Sequence, residues 1–332
     1  MSKVNSMYQV ITVGSSTVDA FAKVESELVK IKTVHHTEEL IAYPSGAKIL
    51  INDLVFLSGG GGTNTAVSLS KLGINVAYLG KVGNDNNKVL ILDQLKKDKI
   101  DFIGVMGKGV SGYSIILDSL EGDRTILAFK GVNDKLEYDE INIKKLKTKW
   151  FYFSSMIGKS FETLEKLAEF AEEHNIMVAF NPSNYLAEKG KIYLKEVLSR
   201  TTLLILNKEE AILIAGNYDM DDLIRELMKL GPKYVVITDG KKGAYTIHKK
   251  SLYHVLPNEV NAVETTGAGD AFASTFLAAM IQGKPIDFAL KMASVNAESV
   301  IQHLGAKTGL LKIKELMKNI KKIKPKVTKK RI

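Results

Sequence analysis

The stretch Glu264-Thr265-Thr266-Gly267-Ala268-Gly269-Asp270 decides the fold. A strongly apolar helical run follows it at once, with Ala271, Phe272, Ala273, Phe276, Leu277, Ala278, Ala279 and Met280. Glycines let the backbone turn tightly and bring its N–H groups close to a ligand. A helix start adds unpaired N–H donors and partial positive charge, so the place suits an anion such as phosphate. The turn nevertheless ends in a carboxylate. Asp270 beside such a turn fits a group that takes a proton while the turn holds developing negative charge. The alternative is that Asp270 caps the helix and the glycines serve packing.

Outward from that turn, apolar runs alternate with helical patterns. Strands are expected at 9–13, 76–79, 150–154, 177–180, 203–206 and 234–238. Helices are expected at 63–72, 161–173 and 222–230, with 89–95 inside another and a further helical segment at 283–310. Strands without polar alternation, separated by helices, imply a parallel sheet covered on both faces, with ligands beyond the carboxyl ends of its strands. Two regions break the rhythm. Residues 39–57 read as strands around a turn at Pro44-Ser45-Gly46. Residues 112–129 read as a hairpin turning at Glu121-Gly122-Asp123. Together they could form a small sheet over the main body, a natural lid. Two unrelated surface hairpins are the alternative.

Composition sets bounds. The chain has 332 residues, no Cys and a formal net charge of +9. Disulfides, zinc-thiolate sites, Fe–S clusters and thiol nucleophiles are excluded together. No apolar run approaches a membrane span, and the start lacks an export signal, so the cytoplasm is the expected location. Much of the charge lies in the Lys-rich tail at 321–331. Such a tail could touch nucleic acid, but a solvated end is the reading preferred here.

A second glycine cluster, Ser58-Gly59-Gly60-Gly61-Gly62-Thr63-Asn64, opens a helix. Consecutive glycines cost conformational entropy, so something must approach this backbone closely, unless the run is a hinge for the lid. Asn64 offers both a donor and an acceptor, which suits a hydroxylated ligand. Asp19, past the first strand, could accept from sugar hydroxyls or simply form a turn. Asn207 and Glu210 stand three residues apart after a strand. They could organise Mg²⁺ through water, or form a capping box. Val13-Gly14-Ser15-Ser16 is no dinucleotide fingerprint, and Gly158-Lys159-Ser160 lacks the first glycine of a P-loop. The histidines give no metal pattern.

These residues, in this order, resemble the ribokinase-like (PfkB) family of carbohydrate and nucleoside kinases, from about residue 10 to 310. The resemblance implies a three-layer α/β/α sandwich with a mostly parallel sheet and a small β-sheet lid. It implies a kinase domain over 8–312, lid segments at about 34–58 and 110–130, and a basic C-terminal helix or tail at 313–332. By that resemblance Asp270 is the catalytic base, and Gly267, Ala268 and Gly269 form an anion hole. Asp19, Gly60, Gly61 and Asn64 match residues at the sugar. Asn181, Asn207, Thr238, Gly240 and Asn296 match residues around the nucleotide, and Glu210 an acid that organises Mg²⁺ through water. The implied cofactors are ATP and Mg²⁺, and the lid is a dimer contact in some members.

Departures from the family pattern narrow the substrate. Thr17 stands where ribokinases carry Asn, and Gly61 where they carry Lys. No counterpart of the ribokinase glutamate appears around Ser154-Ser155-Met156. Glu264 replaces an Asp that binds a monovalent cation in several members, which weighs against K⁺ as a further cofactor. The expected activity is ATP-dependent phosphorylation of a hydroxyl on a free sugar or sugar acid. A nucleoside kinase of the same fold is the nearest rival. A non-catalytic binding protein on a kinase fold is a third reading.

Overall fold

The computed structural model describes residues 7–24, 27–32, 37–42, 44–118 and 124–332. Side chains are described outside 24–43 and 118–124. A ten-stranded sheet forms the centre. Its spatial order begins with Asp101–Phe102, Val76–Leu79, Tyr8–Val13, Thr148–Phe153, Met177–Phe180, Leu203–Asn207 and Tyr234–Thr238, all parallel. Ala244–His248, Ser251–Val255 and Val327–Arg331 complete it, each antiparallel to its neighbour.

The parallel strands are mostly apolar because both faces are covered. Along Tyr8–Val13, Val10 packs into one core and Ile11 and Val13 into the other. The same period-2 split places Trp150 and Tyr152 opposite Phe151 and Phe153. One core takes helices Gly61–Lys71, Ala268–Ile281 and Ile286–Val300. The other takes Lys159–Glu173 and Met220–Met228. This is the three-layer α/β/α sandwich expected from the sequence, and no helix among the described residues is long and apolar enough to cross a membrane.

A separate four-stranded sheet runs Arg124–Phe129, Gly112–Asp118, Thr17–Val24, Ile51–Gly59. The two expected lid regions do share one sheet, but they are joined through Thr17–Val24. The sequence gives no strand signal there, only Asp19 as a sugar-hydroxyl acceptor or a turn residue. The strand's pairing is parallel to Gly112–Asp118 and antiparallel to Ile51–Gly59. The strand Thr37–Ala42 does not enter this sheet and pairs with Glu27–Lys32 instead. Residues 34–36 and 43 of the first lid segment, and 119–123 of the second with its turn at Glu121-Gly122-Asp123, lie outside the described residues.

The C-terminal segment corrects another expectation. Helix Ile313–Ile323 packs Leu316 and Ile320 into the core, and Val327–Arg331 pairs with Ser251–Val255 as the last strand of the main sheet. The basic residues are not a free tail. Lys321 and Lys322 end the helix, and Lys329, Lys330 and Arg331 lie on the edge strand, where lysines discourage pairing with other chains.

Candidate active site

Helix Ala268–Ile281 begins at Gly267, which takes the left-handed conformation at φ 82°. A Cβ there would also lie 2.3 Å from the Cβ of Ala306, so only glycine fits. Asp270 occupies the first turn, where the helix itself offers no carbonyls to its N–H groups. The Glu264 carboxylate, itself buried, accepts from the Thr266 N–H at 2.7 Å and fixes the approach to the turn.

The two glycine motifs meet at this point. Asn64 Nδ2 donates to Asp270 Oδ2 at 2.8 Å. Asn64 is buried, and its Oδ1 has no hydrogen-bond partner. The glycine run admits close neighbours from the protein itself. A Cβ at Gly59 would sit 1.8 Å from Asp19 Oδ2, and one at Gly62 would meet the Gly14 backbone at 2.7 Å. Asp19 lies on the lid strand Thr17–Val24, with Thr17 Oγ1 donating to it at 2.8 Å.

A cavity of about 240 Å³ opens above the Asp270 carboxyl. Gly61, Ser15, Asn133, Ser154, Asn181 and Ser183 are among its lining residues. The buried hydroxyls of Ser154 and Ser183 have no partner. Together with Asn64 Oδ1, these unsatisfied polar atoms fit a hydroxylated ligand, since buried polar groups are otherwise paired. Burial pushes the Asp270 carboxyl up to about 6, although the Asn64 hydrogen bond and the Lys307 ammonium pull it down. Burial likewise raises the Asp19 carboxyl.

The nucleotide candidates follow the carboxyl edge of successive parallel strands. Asn181 follows Met177–Phe180 and its N–H donates to Phe153 O at 2.9 Å. Asn207 ends Leu203–Asn207 and is in register with Thr238, which ends Tyr234–Thr238. Gly240 is exposed just beyond. Asn207 and Glu210 do form the capping box: Asn207 Oδ1 accepts from Glu210 N at 2.8 Å, and Glu210 Oε2 accepts from Asn207 N at 2.9 Å. Glu210 is buried, and burial raises its carboxyl, with Asp270 adding a smaller upward push. Glu210 therefore feels the charge of Asp270. No group of three or more acidic or histidine side chains gathers among the described residues. The donor set fits a Mg²⁺ that keeps water and phosphate oxygens in its shell, with Glu210 nearby.

Asn296 departs from this edge. It is fully buried, its Nδ2 donates to Thr275 Oγ1 at 2.8 Å, and its Oδ1 accepts from Leu311 N at 3.0 Å. Its side chain ties helix Ile286–Val300 to Thr275 of helix Ala268–Ile281 and to Leu311.

Two residues escaped the sequence reading. Asn133 clasps Ser16 through both backbone groups, at 3.1 and 2.8 Å, joining the lid to the cavity wall. Lys307 is buried under the glycine run and donates to Ser58 O at 2.7 Å and Thr63 Oγ1 at 3.0 Å. Neither carries a motif. Asn133 sits in an irregular 3₁₀ segment, and Lys307 is one lysine among many.

A family model described as pfkB family carbohydrate kinase matches residues 9–313. The chain belongs to the pfkB family of carbohydrate kinases. An uncharacterized sugar kinase of Archaeoglobus fulgidus is 31% identical over 74% of this chain and 98% of its own length. A ribokinase of Staphylococcus aureus is 26% identical over 93% of this chain and 98% of its own. A cytidine kinase of Thermococcus kodakarensis is 28% identical over 82% of this chain and 95% of its own. The crystal structure of a Thermotoga maritima ribokinase superposes with a TM-score of 0.79, at 24% identity over 95% of this chain and all of that one. The pfkB membership makes this chain a kinase of the sugar and nucleoside type.

Proposed function

We propose that this kinase transfers the γ-phosphoryl group of ATP to a hydroxyl of a free sugar or sugar acid. The observation that carries the proposal is Asp270. Its carboxyl lines a cavity from the first turn of a helix, is held by Asn64, and is pushed up to about 6 by burial. A base with that value is ionised at neutral pH yet basic enough to take a proton from a hydroxyl.

In this reading ATP supplies the phosphoryl group, and Mg²⁺ neutralises charge on it. Asn64 Oδ1, buried without a hydrogen-bond partner, orients the acceptor hydroxyl while its Nδ2 fixes Asp270. Asp19 accepts from further hydroxyls from the lid side, with Gly60 and Gly61 presenting backbone to the same ligand. Asp270 accepts the hydroxyl proton as the acceptor oxygen attacks. The N–H groups of the Gly267-Ala268-Gly269 turn face charge that builds on the transferring phosphoryl, without having to reorganise. Asn181, Asn207, Thr238 and Gly240 border the nucleotide, and Glu210 organises Mg²⁺ through water.

A second reading, a nucleoside kinase, is favoured by one feature. The Tyr185 ring lines the same cavity, with Lys130 Nζ 4.0 Å from its centroid, and a flat aromatic left with one open face is a surface on which a base can stack. The test is a thermal-shift panel of ribose, fructose, 2-keto-3-deoxygluconate, adenosine, cytidine and guanosine, each with a non-hydrolysable ATP analogue, followed by turnover with ATP. Stabilisation and turnover by a sugar or sugar acid support the first reading. Selective response to a nucleoside replaces it with the second.

The lid also presents an apolar row across its strands. Ala20 pairs with Phe56 and Ile115, and Ile115 pairs with Leu127. Phe56, Ile115 and Leu127 are exposed. A second copy of this chain, pairing lid to lid, would cover them.

A further inference from the structure

Lys307 belongs to no part of the mechanism above, yet it lies where the lid strand meets the glycine-run helix. The segment Gly305-Ala306-Lys307 packs under both glycine motifs. Ala306 is the atom group that a side chain at Gly267 would strike, and a Cβ at Gly305 would lie 2.4 Å from Leu57 Cδ1 on the lid strand Ile51–Gly59. From this platform the ammonium donates to the last turn of that lid strand, at Ser58 O, and to the first turn of helix Gly61–Lys71, at Thr63 Oγ1. The same Thr63 hydroxyl donates to Gly59 O at 2.6 Å. One buried cation thus spans the whole Ser58–Thr63 glycine run.

Burying a lysine is costly unless its charge is used. The oxygens it meets are neutral, and the acids that face it stand further off: Asp19 from the lid strand Thr17–Val24, Asp270 from helix Ala268–Ile281, and Asp98 from the end of helix Asn87–Lys97. Lys71 lies behind it and donates to Lys307 O at 3.2 Å. Glu264 faces Asp19, and Tyr152 and Glu210 face Asp270. A cation placed so favours the ionised forms of Asp19 and Asp270 together, which burial opposes.

We propose that Lys307 is a positioning residue: its ammonium fastens the lid strand to the glycine-run helix and keeps the Asp19 and Asp270 carboxylates ionised for substrate. The role rests on the kinase reading, but its test does not need turnover. The carboxyl of Asp270 is titrated by ¹³C NMR in the free enzyme, for wild type, Lys307→Met and Lys307→Arg. Amide hydrogen exchange is followed across residues 58–63 in the same proteins. In Lys307→Met the Asp270 titration shifts upward and the amides exchange faster. In Lys307→Arg, which keeps the charge, the titration stays near wild type. Lys307→Gln, neutral but still a hydrogen-bond donor, serves in place of the Met variant should that one fail to fold, and shifts the titration the same way. An Asp270 titration unchanged in a folded neutral variant, with unchanged exchange at 58–63, overturns the proposal. Absence of turnover in the wild type with every acceptor tried would overturn the kinase reading and leave this titration standing on its own.

Discussion

The Asn64 amide donates to the Asp270 carboxylate at 2.8 Å across 206 residues of sequence. This bond joins the start of one glycine-led helix to the start of another, and it stabilises the ionised carboxylate. Removing it takes away a downward pull on a carboxyl already raised to about 6 by burial. In Asn64→Leu the acid limb of kcat/KM therefore moves to higher pH, and activity is lost sooner as pH falls. The pH profile of kcat/KM checks this, because it reports the free enzyme. An acid limb unmoved from wild type counts against the coupling.

Stability follows pH through two buried groups of opposite kind. Burial pushes the Asp270 carboxyl up to about 6 from its usual 3.8, so the folded state holds that proton more tightly. Its contribution is complete below about 3.8 and is lost as pH rises through about 6. Lys307 is pushed down to about 7 from 10.5, chiefly by burial. Its contribution is complete above about 10.5 and is lost as pH falls through about 7. Between these two values neither contributes, so urea unfolding should show a dip in stability there. Asp270→Asn flattens the fall on the acid side and Lys307→Met flattens the rise on the alkaline side. A dip that persists unchanged in both variants would mean that other groups cause it.

Glu210→Gln separates capping from metal organisation. Glutamine can still accept from the Asn207 N–H, so the capping box and its contribution of ~0.5–2 kcal/mol are largely kept. The charge is lost. The Mg²⁺ concentration needed for half-maximal turnover should rise several-fold, with a smaller change in KM for the acceptor. A Mg²⁺ titration matching wild type would remove Glu210 from that role.

A charge in the apolar row of the lid should block association. Phe56→Asp is expected to sediment as a monomer under conditions where the wild type is a dimer, with little loss of thermal stability because Phe56 is 49% exposed. Wild-type protein that stays monomeric at high concentration rules out the lid-to-lid pairing.

The central sheet was readable because its strands are buried on both faces, so apolar runs stood out between helical patterns. The Asp270 turn was readable because Gly267, at positive φ and against Ala306, leaves an unmistakable residue type. The lid strand Thr17–Val24 was not. It follows the first main strand after a few polar residues, and Asp19 within it looks like turn chemistry. The last strand was hidden by its own edge position, where Lys329, Lys330 and Arg331 look like a solvated tail. For Asn296, residue type and position do not show which way the amide points; its partners are Thr275 and Leu311. Lys307 had no sequence signal at all, since what distinguishes it is enclosure by segments about 250 residues away.

The most direct test of the account is Asp270→Asn. The variant keeps the shape of the carboxyl and removes its basicity. It should fold, bind a non-hydrolysable ATP analogue as wild type does, and lose at least ~10²-fold in kcat with whichever acceptor the panel identifies. Turnover close to wild type in a folded Asp270→Asn protein would contradict the assignment of Asp270 as the base.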